Sequence, residues 1–247
     1  ERFKFYVIST LSYFILVEGF AKPLNPILGE TCSGFYSDGT RVFLEQIAHS
    51  PPASYLMMEG PKRSYMFYGP AKYAPSASLN SLRLNVNGWR KIVFNDTKQT
   101  IKNNFADDLV ENTLFGKCQL LTAGNMKFED EENKISLVVT IGKEKKKPSD
   151  YLSGDFMVNG KKVGRLFGTY MGWLEIDGVR YFDHRFTCPF KFHFEENRLG
   201  SDCRNRKDMQ LLRLGDIEGA QKAKEELEVA QRRDRKLREG DKKHKKQ

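Results

Sequence analysis

Three side chains that suit an anion stand at the ends of stiff stretches early in the chain: Lys22, Asn25 and His49. Pro23 and Pro26 follow the first two directly. Each proline fixes its own φ and pushes the preceding residue out of the helical region, so Lys22 and Asn25 project from a rigid loop. Gly29 then permits a tight bend. Arg41 to Ala48 read as a strand that runs into His49, Ser50, Pro51 and Pro52, where the prolines have no N–H to continue a ladder. Converging N–H donors on rigid elements suit an oxyanion, phosphate above all. A second constellation lies about 200 residues later. Lys224, Glu228 and Arg232 recur every fourth residue in a stretch of helical composition, Ile217 to about Arg238, preceded by an N-cap signal at Gly215-Asp216. Taken alone, that face reads as an exposed helix laced with ion pairs.

The composition narrows the classes. The chain has 247 residues, room for one large domain or two small ones, and 12% aromatics, enough for a substantial core. Its net charge of +9 is uneven: residues 232–247 hold nine Lys/Arg against three Asp/Glu, a net +6, which leaves only +3 elsewhere. Such a basic tail attracts phosphates on nucleic acid or on an anionic membrane. It contains no aromatic residue for base stacking, and no nucleic-acid motif occurs, so a membrane surface is the expected partner and nucleic acid is not. Cys32, Cys118, Cys188 and Cys203 are widely separated with no C-x-x-C, which reads as free thiols in a reducing cytosol. The apolar runs Phe5–Ile8 and Tyr13–Val17 are too short to span a bilayer, which takes about 20 apolar residues, and lack a small-residue cleavage site. A buried helix over residues 2–20 is expected instead. Neighbouring His49 and Ser50 on a strand point to opposite faces, and no G-x-S-x-G elbow exists, so no nucleophilic catalysis is expected. His184, Cys188 and His193 have only their spacing to suggest zinc, and no metal or cofactor is expected.

After the proline loop the pattern changes to period two. Phe35-Tyr36 and Val42–Leu44 flank the turn signal Ser37-Asp38-Gly39-Thr40. Tyr55–Met58 and Tyr65–Tyr68 follow around Gly60-Pro61. Leu82–Val86 is expected to turn at Asn87-Gly88 and return as Trp89–Phe94. Leu114–Leu121 and Ile135–Ile141 flank an expected acidic loop, Glu129–Glu132. Further hairpins are expected at Asn159-Gly160 and Asp177-Gly178. Four Asx-Gly hairpins point to a long antiparallel meander, which must curl or close, because open sheets rarely exceed about 10 strands. A wide closed barrel encloses room for a ligand.

At this point a resemblance can be stated. Lys22–Thr31, KPLNPILGET, resembles the KPxNPxLGE stretch of the oxysterol-binding-protein-related family, and Glu45–Pro52, EQIAHSPP, resembles its EQVSHHPP signature. Tyr151–Asp155 with Gly160-Lys161-Lys162, the run Ser201–Asp208, Leu214-Gly215-Asp216 and KEELEVAQR around Lys224, Glu228 and Arg232 are similar to later family segments in the family's order. The resemblance implies one mainly β domain over residues 1–247, ending in the basic tail 232–247: a large, nearly closed antiparallel barrel around a hydrophobic lipid tunnel, with N- and C-terminal helices. The family's lid would precede Glu1, so the expectation is a domain truncated at both ends or a short family member. The implied function is lipid binding and transfer between membranes by a monomeric, cytoplasmic, peripherally associated protein. One sterol or phosphatidylserine fills the tunnel and phosphatidylinositol 4-phosphate acts as ligand or counter-ligand; the alternative is a lipid sensor or scaffold without net transfer. By the same resemblance Lys22, Asn25, His49, Lys224, Glu228 and Arg232 hold the phosphoinositide headgroup, and Ile27, Leu28 and Leu44 are candidates for the tunnel wall. Ser50 stands where the family has its second His. Replacing a charged donor by one neutral hydroxyl removes about 1.5–3 kcal/mol, one to two decades of affinity.

Overall fold

The computed structural model describes residues 1–14, 24–142, 144–188 and 190–244, with side chains through Arg238. Its first element is α1 (Arg2–Ser12). Phe3, Tyr6, Val7, Leu11 and Phe14 recur at helical spacing and make one buried apolar stripe. Of the expected helix over residues 2–20, α1 covers Arg2–Ser12; residues 15–23 lie outside those described.

The strands are β1 (Thr31–Tyr36), β2 (Arg41–His49), β3 (Pro52–Glu59), β4 (Tyr65–Ser78), β5 (Ser81–Gly88), β6 (Arg90–Phe94), β7 (Thr100–Asn103), β8 (Asp107–Glu111), β9 (Gln119–Asp130), β10 (Ile135–Ile141), β11 (Tyr151–Val158), β12 (Lys161–Thr169), β13 (Trp173–Ile176), β14 (Val179–Asp183) and β15 (Phe192–Phe194). They form one 15-stranded antiparallel sheet in which thirteen strands run in the order β14-β13-β12-β11-β10-β9-β7-β6-β4-β3-β2-β1-β15, and β5 and β8 form a side branch, with β5 on β4, β8 on β9 and the two paired to each other. Among the described residues no ladder joins β14 to β15, so hydrogen bonding does not close the sheet into a barrel. Period-two alternation places Met126, Phe128, Leu137, Val139, Leu152, Leu166, Leu174 and Ile176 on an inner face, and α1 packs there. Rings interlock edge to face at Phe3–Phe156, 6.1 Å, and Phe14–Tyr170, 5.8 Å. The one polar group on the stripe is satisfied: Tyr6 donates its hydroxyl to Asn103 Oδ1 at 2.5 Å.

The turns at Asp38-Gly39, Asn159-Gly160 and Asp177-Gly178 are hairpins as expected, but Asn87-Gly88 is not. β4 is long enough to be shared: Tyr65–Tyr68 pair with β6, and Ala71–Ser78 pair with β5. Both partners run antiparallel to β4, so the chain continues from β5 into β6 without reversing. Glycines make this crossing possible. A Cβ on Gly69 would lie 2.2 Å from Trp89 O, and one on Gly88 would lie 2.2 Å from Pro70 O. The expected strand Leu114–Leu121 begins only at Gln119. The expected acidic loop is partly strand: Glu129 and Asp130 end β9, and buried Asp130 accepts from Gln99 Nε2 and Asn133 Nδ2.

Two further helices follow, α2 (Lys207–Arg213) and α3 (Ile217–His244), the latter six residues longer than its expected end at Arg238. Among the described residues no helix is long and apolar enough to cross a membrane. The four cysteines are unpaired, and burial, followed by the neighbouring Cys203, pushes the Cys32 thiol up to about 12. Because the α1 stripe docks the sheet, Leu11→Ala should cost about 2–5 kcal/mol. Urea denaturation of the two proteins measures this directly.

A candidate headgroup site joining the proline loop to the C-terminal helix

The loop Leu24–Glu30 is laid along the end of β2. Gly29 N donates to Gln46 O at 2.8 Å, and Gln46 N donates to Glu30 O at 2.9 Å. The Glu30 carboxylate closes the loop on itself by accepting from Ile27 N at 2.9 Å. The segment before α2 adds to the same edge: Thr31 N donates to Ser201 O at 2.9 Å.

Arg206 then enters beneath the loop. It is buried, reaches both oxygens of buried Asp208, and donates through Nη1 to Glu30 Oε2 at 2.6 Å and to Asn25 O at 3.0 Å. The same Asn25 carbonyl accepts from Lys224 Nζ at 2.9 Å. Lys224 is only 7% exposed. Burial, and secondarily the charge of Arg206, lowers its pKa, partly offset by Glu228. Two turns further along α3, Gln231 Oε1 accepts from Leu28 N at 3.2 Å. Buried Ala220 and Ala223 let this helix face approach closely. Glu228 stands 3.7 Å from Lys224 and 3.7 Å from exposed Arg232.

The structure therefore joins Asn25 to the Lys224–Arg232 face, with a difference from the expected role. Asn25 contributes its backbone carbonyl to the network, and its side chain is exposed. Lys22 lies outside the described residues. His49 is half-buried at the end of β2 and Ser50 is exposed beside it, at the loop's end of the sheet, but among the described residues no hydrogen bond links either to α3. Ile27 and Leu28 are half-buried in the loop. Leu44 pairs with Leu56, which pairs with Gly69 on the side of β4 that carries Phe67. Phe67 packs on the core, so Leu44 faces inward, where it remains exposed.

Two participants were not anticipated. Arg206 lies within the run Ser201–Asp208, where nothing in the spacing separates it from Arg204, which pairs with Asp202 instead. Gln231 lies seven residues after Lys224, the same-face spacing that could have found it. Among the described residues no group of three His, Cys, Asp or Glu could hold a metal ion. The surface depressions against Ser136, Arg165 and Gln99 share no residue with this site.

The family model for oxysterol-binding protein matches residues 2–187 and 186–247. The chain belongs to the oxysterol-binding protein family. This places it among lipid-binding proteins rather than enzymes. Oxysterol-binding protein 9 of Dictyostelium discoideum is 27% identical over 96% of this chain and 61% of its own length. Oxysterol-binding protein-related protein 5 of Mus musculus is 25% identical over 87% of this chain and 27% of its own. The chain thus spans under two thirds of these relatives. The fold matches the Osh1 ORD domain in complex with ergosterol, with a TM-score of 0.80 and 19% identity over 98% of this chain and 68% of that one. It also matches the Osh3 ORD of Saccharomyces cerevisiae in complex with PI(4)P, with a TM-score of 0.81 and 17% identity over 96% and 70%.

Arg206 and Arg232 should separate structural from binding roles. Arg206→Met leaves Asp208 and Glu30 without their cation and should cost about 3–5 kcal/mol. Arg232→Ala removes an exposed cation and should stay within about 0.5 kcal/mol of the parent. Urea midpoints of the two variants test the contrast.

Proposed function

We propose that this oxysterol-binding protein domain takes up one sterol or phospholipid against the inner face of its sheet and transfers it between membranes. Phosphatidylinositol 4-phosphate is the headgroup ligand or counter-ligand. The observation that carries the reading is the Asn25 carbonyl bridged to Lys224, which brings the proline loop and the cationic face of α3 to one place. Lys224 and Arg232 offer charge-assisted donors, and Glu228 orients them. Gln231 Nε2 is buried without a hydrogen-bond partner among the described residues, so its amide is held in place by Leu28 alone. His49 and Ser50 complete the rim from the end of β2. Uptake is driven by removing the lipid's apolar body from water at about 25 cal/mol per Å².

Membrane association is part of the proposal, with the domain acting as a monomer in the cytoplasm. His49 pairs with Pro52, and the next residue, Ala53, pairs with Lys72, so Tyr73 is level with the His49 turn and β4 runs five residues beyond it to Ser78. At about 3.3 Å per residue that is roughly 17 Å. Its tip carries Leu79, 82% exposed, beside Leu114, 65%, and Phe115, 70%. Asn80 locks the patch by accepting from Leu114 N and Phe115 N and donating to Phe115 O. A rigid apolar tip on the end that carries the headgroup site suits insertion into a lipid interface.

Extraction from liposomes holding phosphatidylinositol 4-phosphate, sterol or phosphatidylserine tests the proposal; failure to extract any of them contradicts it. Extraction without delivery to acceptor liposomes would favour a sensor. Arg232→Ala should lower phosphoinositide extraction at least about tenfold, and Ser50→His should raise affinity by about tenfold or more. The double variant Leu79→Ser, Phe115→Ser should weaken liposome co-sedimentation without changing the urea midpoint.

A further inference from the structure

Arg90 occupies a face otherwise given to the core. It alternates along β6 with Ile92, which is buried, and Phe94, which packs on the core, so its side chain leaves the sheet on the inner face. The register sets it opposite Asn103 of β7, the partner of the inward Tyr6 hydroxyl. Nη1 donates to Gly69 O at 2.6 Å, and the guanidinium lies 4.9 Å from the Phe105 ring centre. Among the described residues no carboxylate forms an ion pair with Arg90, and Nε and Nη2 make no hydrogen bond to protein. Among the described residues neither nitrogen is a buried atom left without a partner. Asp108 on β8 accepts from the Thr122 hydroxyl at 3.3 Å and lies outside ion-pair distance of Arg90.

The surroundings are partly desolvated. Tyr13, near the end of α1, and Tyr73, on the inward side of β4, both have hydroxyls whose pKa desolvation raises. Burial lowers the pKa of Arg90, with Tyr73, Tyr6 and Tyr13 opposing it. A partly desolvated guanidinium with no counter-ion is costly, and a neutral hydroxyl would leave its charge uncompensated. The free Nε/Nη2 edge matches a carboxylate in a bidentate fork, and stacking on Phe105 holds that edge in place.

We propose that Arg90 is an inner anchor for a carboxylate-bearing lipid, gripping the carboxylate through Nε and Nη2 while the hydrocarbon lies along the inner face toward Leu44 and Leu82. This rests on the reading that the inner face takes a lipid. Two sources supply such a carboxylate, a fatty acid and the serine headgroup of a phospholipid.

Isothermal titration without membranes tests it, using dodecanoate and dodecanol on the wild type, Arg90→Leu and Arg90→Lys. Dodecanoate should bind the wild type at least about tenfold tighter than dodecanol, and Arg90→Leu should erase that preference while leaving dodecanol unchanged. Arg90→Lys, which keeps the charge and loses the fork, should retain part of it. Equal binding of the two ligands, binding of neither, or a preference that survives Arg90→Leu overturns the proposal. An Arg90-dependent preference for soluble phosphatidylserine over phosphatidylcholine assigns the carboxylate to the phospholipid, and its restriction to dodecanoate assigns it to a fatty acid; both support the anchor. If the preference holds while no lipid leaves liposomes, the transfer reading fails and the anchor stands.

Discussion

One carbonyl oxygen, that of Asn25, accepts from two buried cations, Arg206 and Lys224, and the arrangement of the headgroup end depends on it. A neutral oxygen cannot balance two charges. The fold supplies Asp208 and Glu30 to Arg206 from two separate segments and sets Glu228 near Lys224. Removing charges from water is recovered only when geometry and remaining hydrogen bonds are good, and here each partner is delivered by a different element. The loop, the segment before α2 and the helix α3 are held in register by that requirement. Small residues on α3 and the prolines on the loop make the approach close and the loop stiff.

The same network leaves donors in reserve. Arg206 is consumed by structure. Lys224 spends one donor on Asn25 and shares Glu228 with Arg232, which is otherwise open to solvent. Three cations and three carboxylates nearly cancel, so the site tolerates the absence of an anion, while a phosphate would improve the position of a lysine whose burial disfavours its charge. At the other level of the molecule, α1 covers the inner face around β9–β13 and leaves Leu44 and Leu82 open, which is the surface a lipid body needs.

Much of this was legible from residue types. The alternation of β9–β13, the apolar stripe of α1 and three of the four Asx-Gly hairpins are local patterns that the structure repeats. Asn87-Gly88 misled because a turn signal says nothing about the length of the partner: β4 is long enough to hold two strands in line, and those glycines serve close backbone contact instead of reversal. Lys224, Glu228 and Arg232 shared a face by spacing alone, and the likeness of the proline loop to a family motif linked the two halves. The role of Asn25 was not legible, because its carbonyl and not its side chain does the joining, and every residue has a carbonyl. Arg206 was hidden for a similar reason. Its partners come from segments about 180 residues apart, and no periodicity encodes such a contact. Arg90 had no signal of its own in the sequence, since only the register of β6 shows which face it takes.

The central claim is that the loop and α3 form one headgroup site. Hydrogen–deuterium exchange of the domain, empty and loaded with phosphatidylinositol 4-phosphate, tests it most directly. The account predicts slowed exchange on loading both in residues 24–30 and in residues 217–238, with the same dependence on lipid concentration. Protection confined to one of the two segments, or absent from both while the lipid is bound, would contradict it.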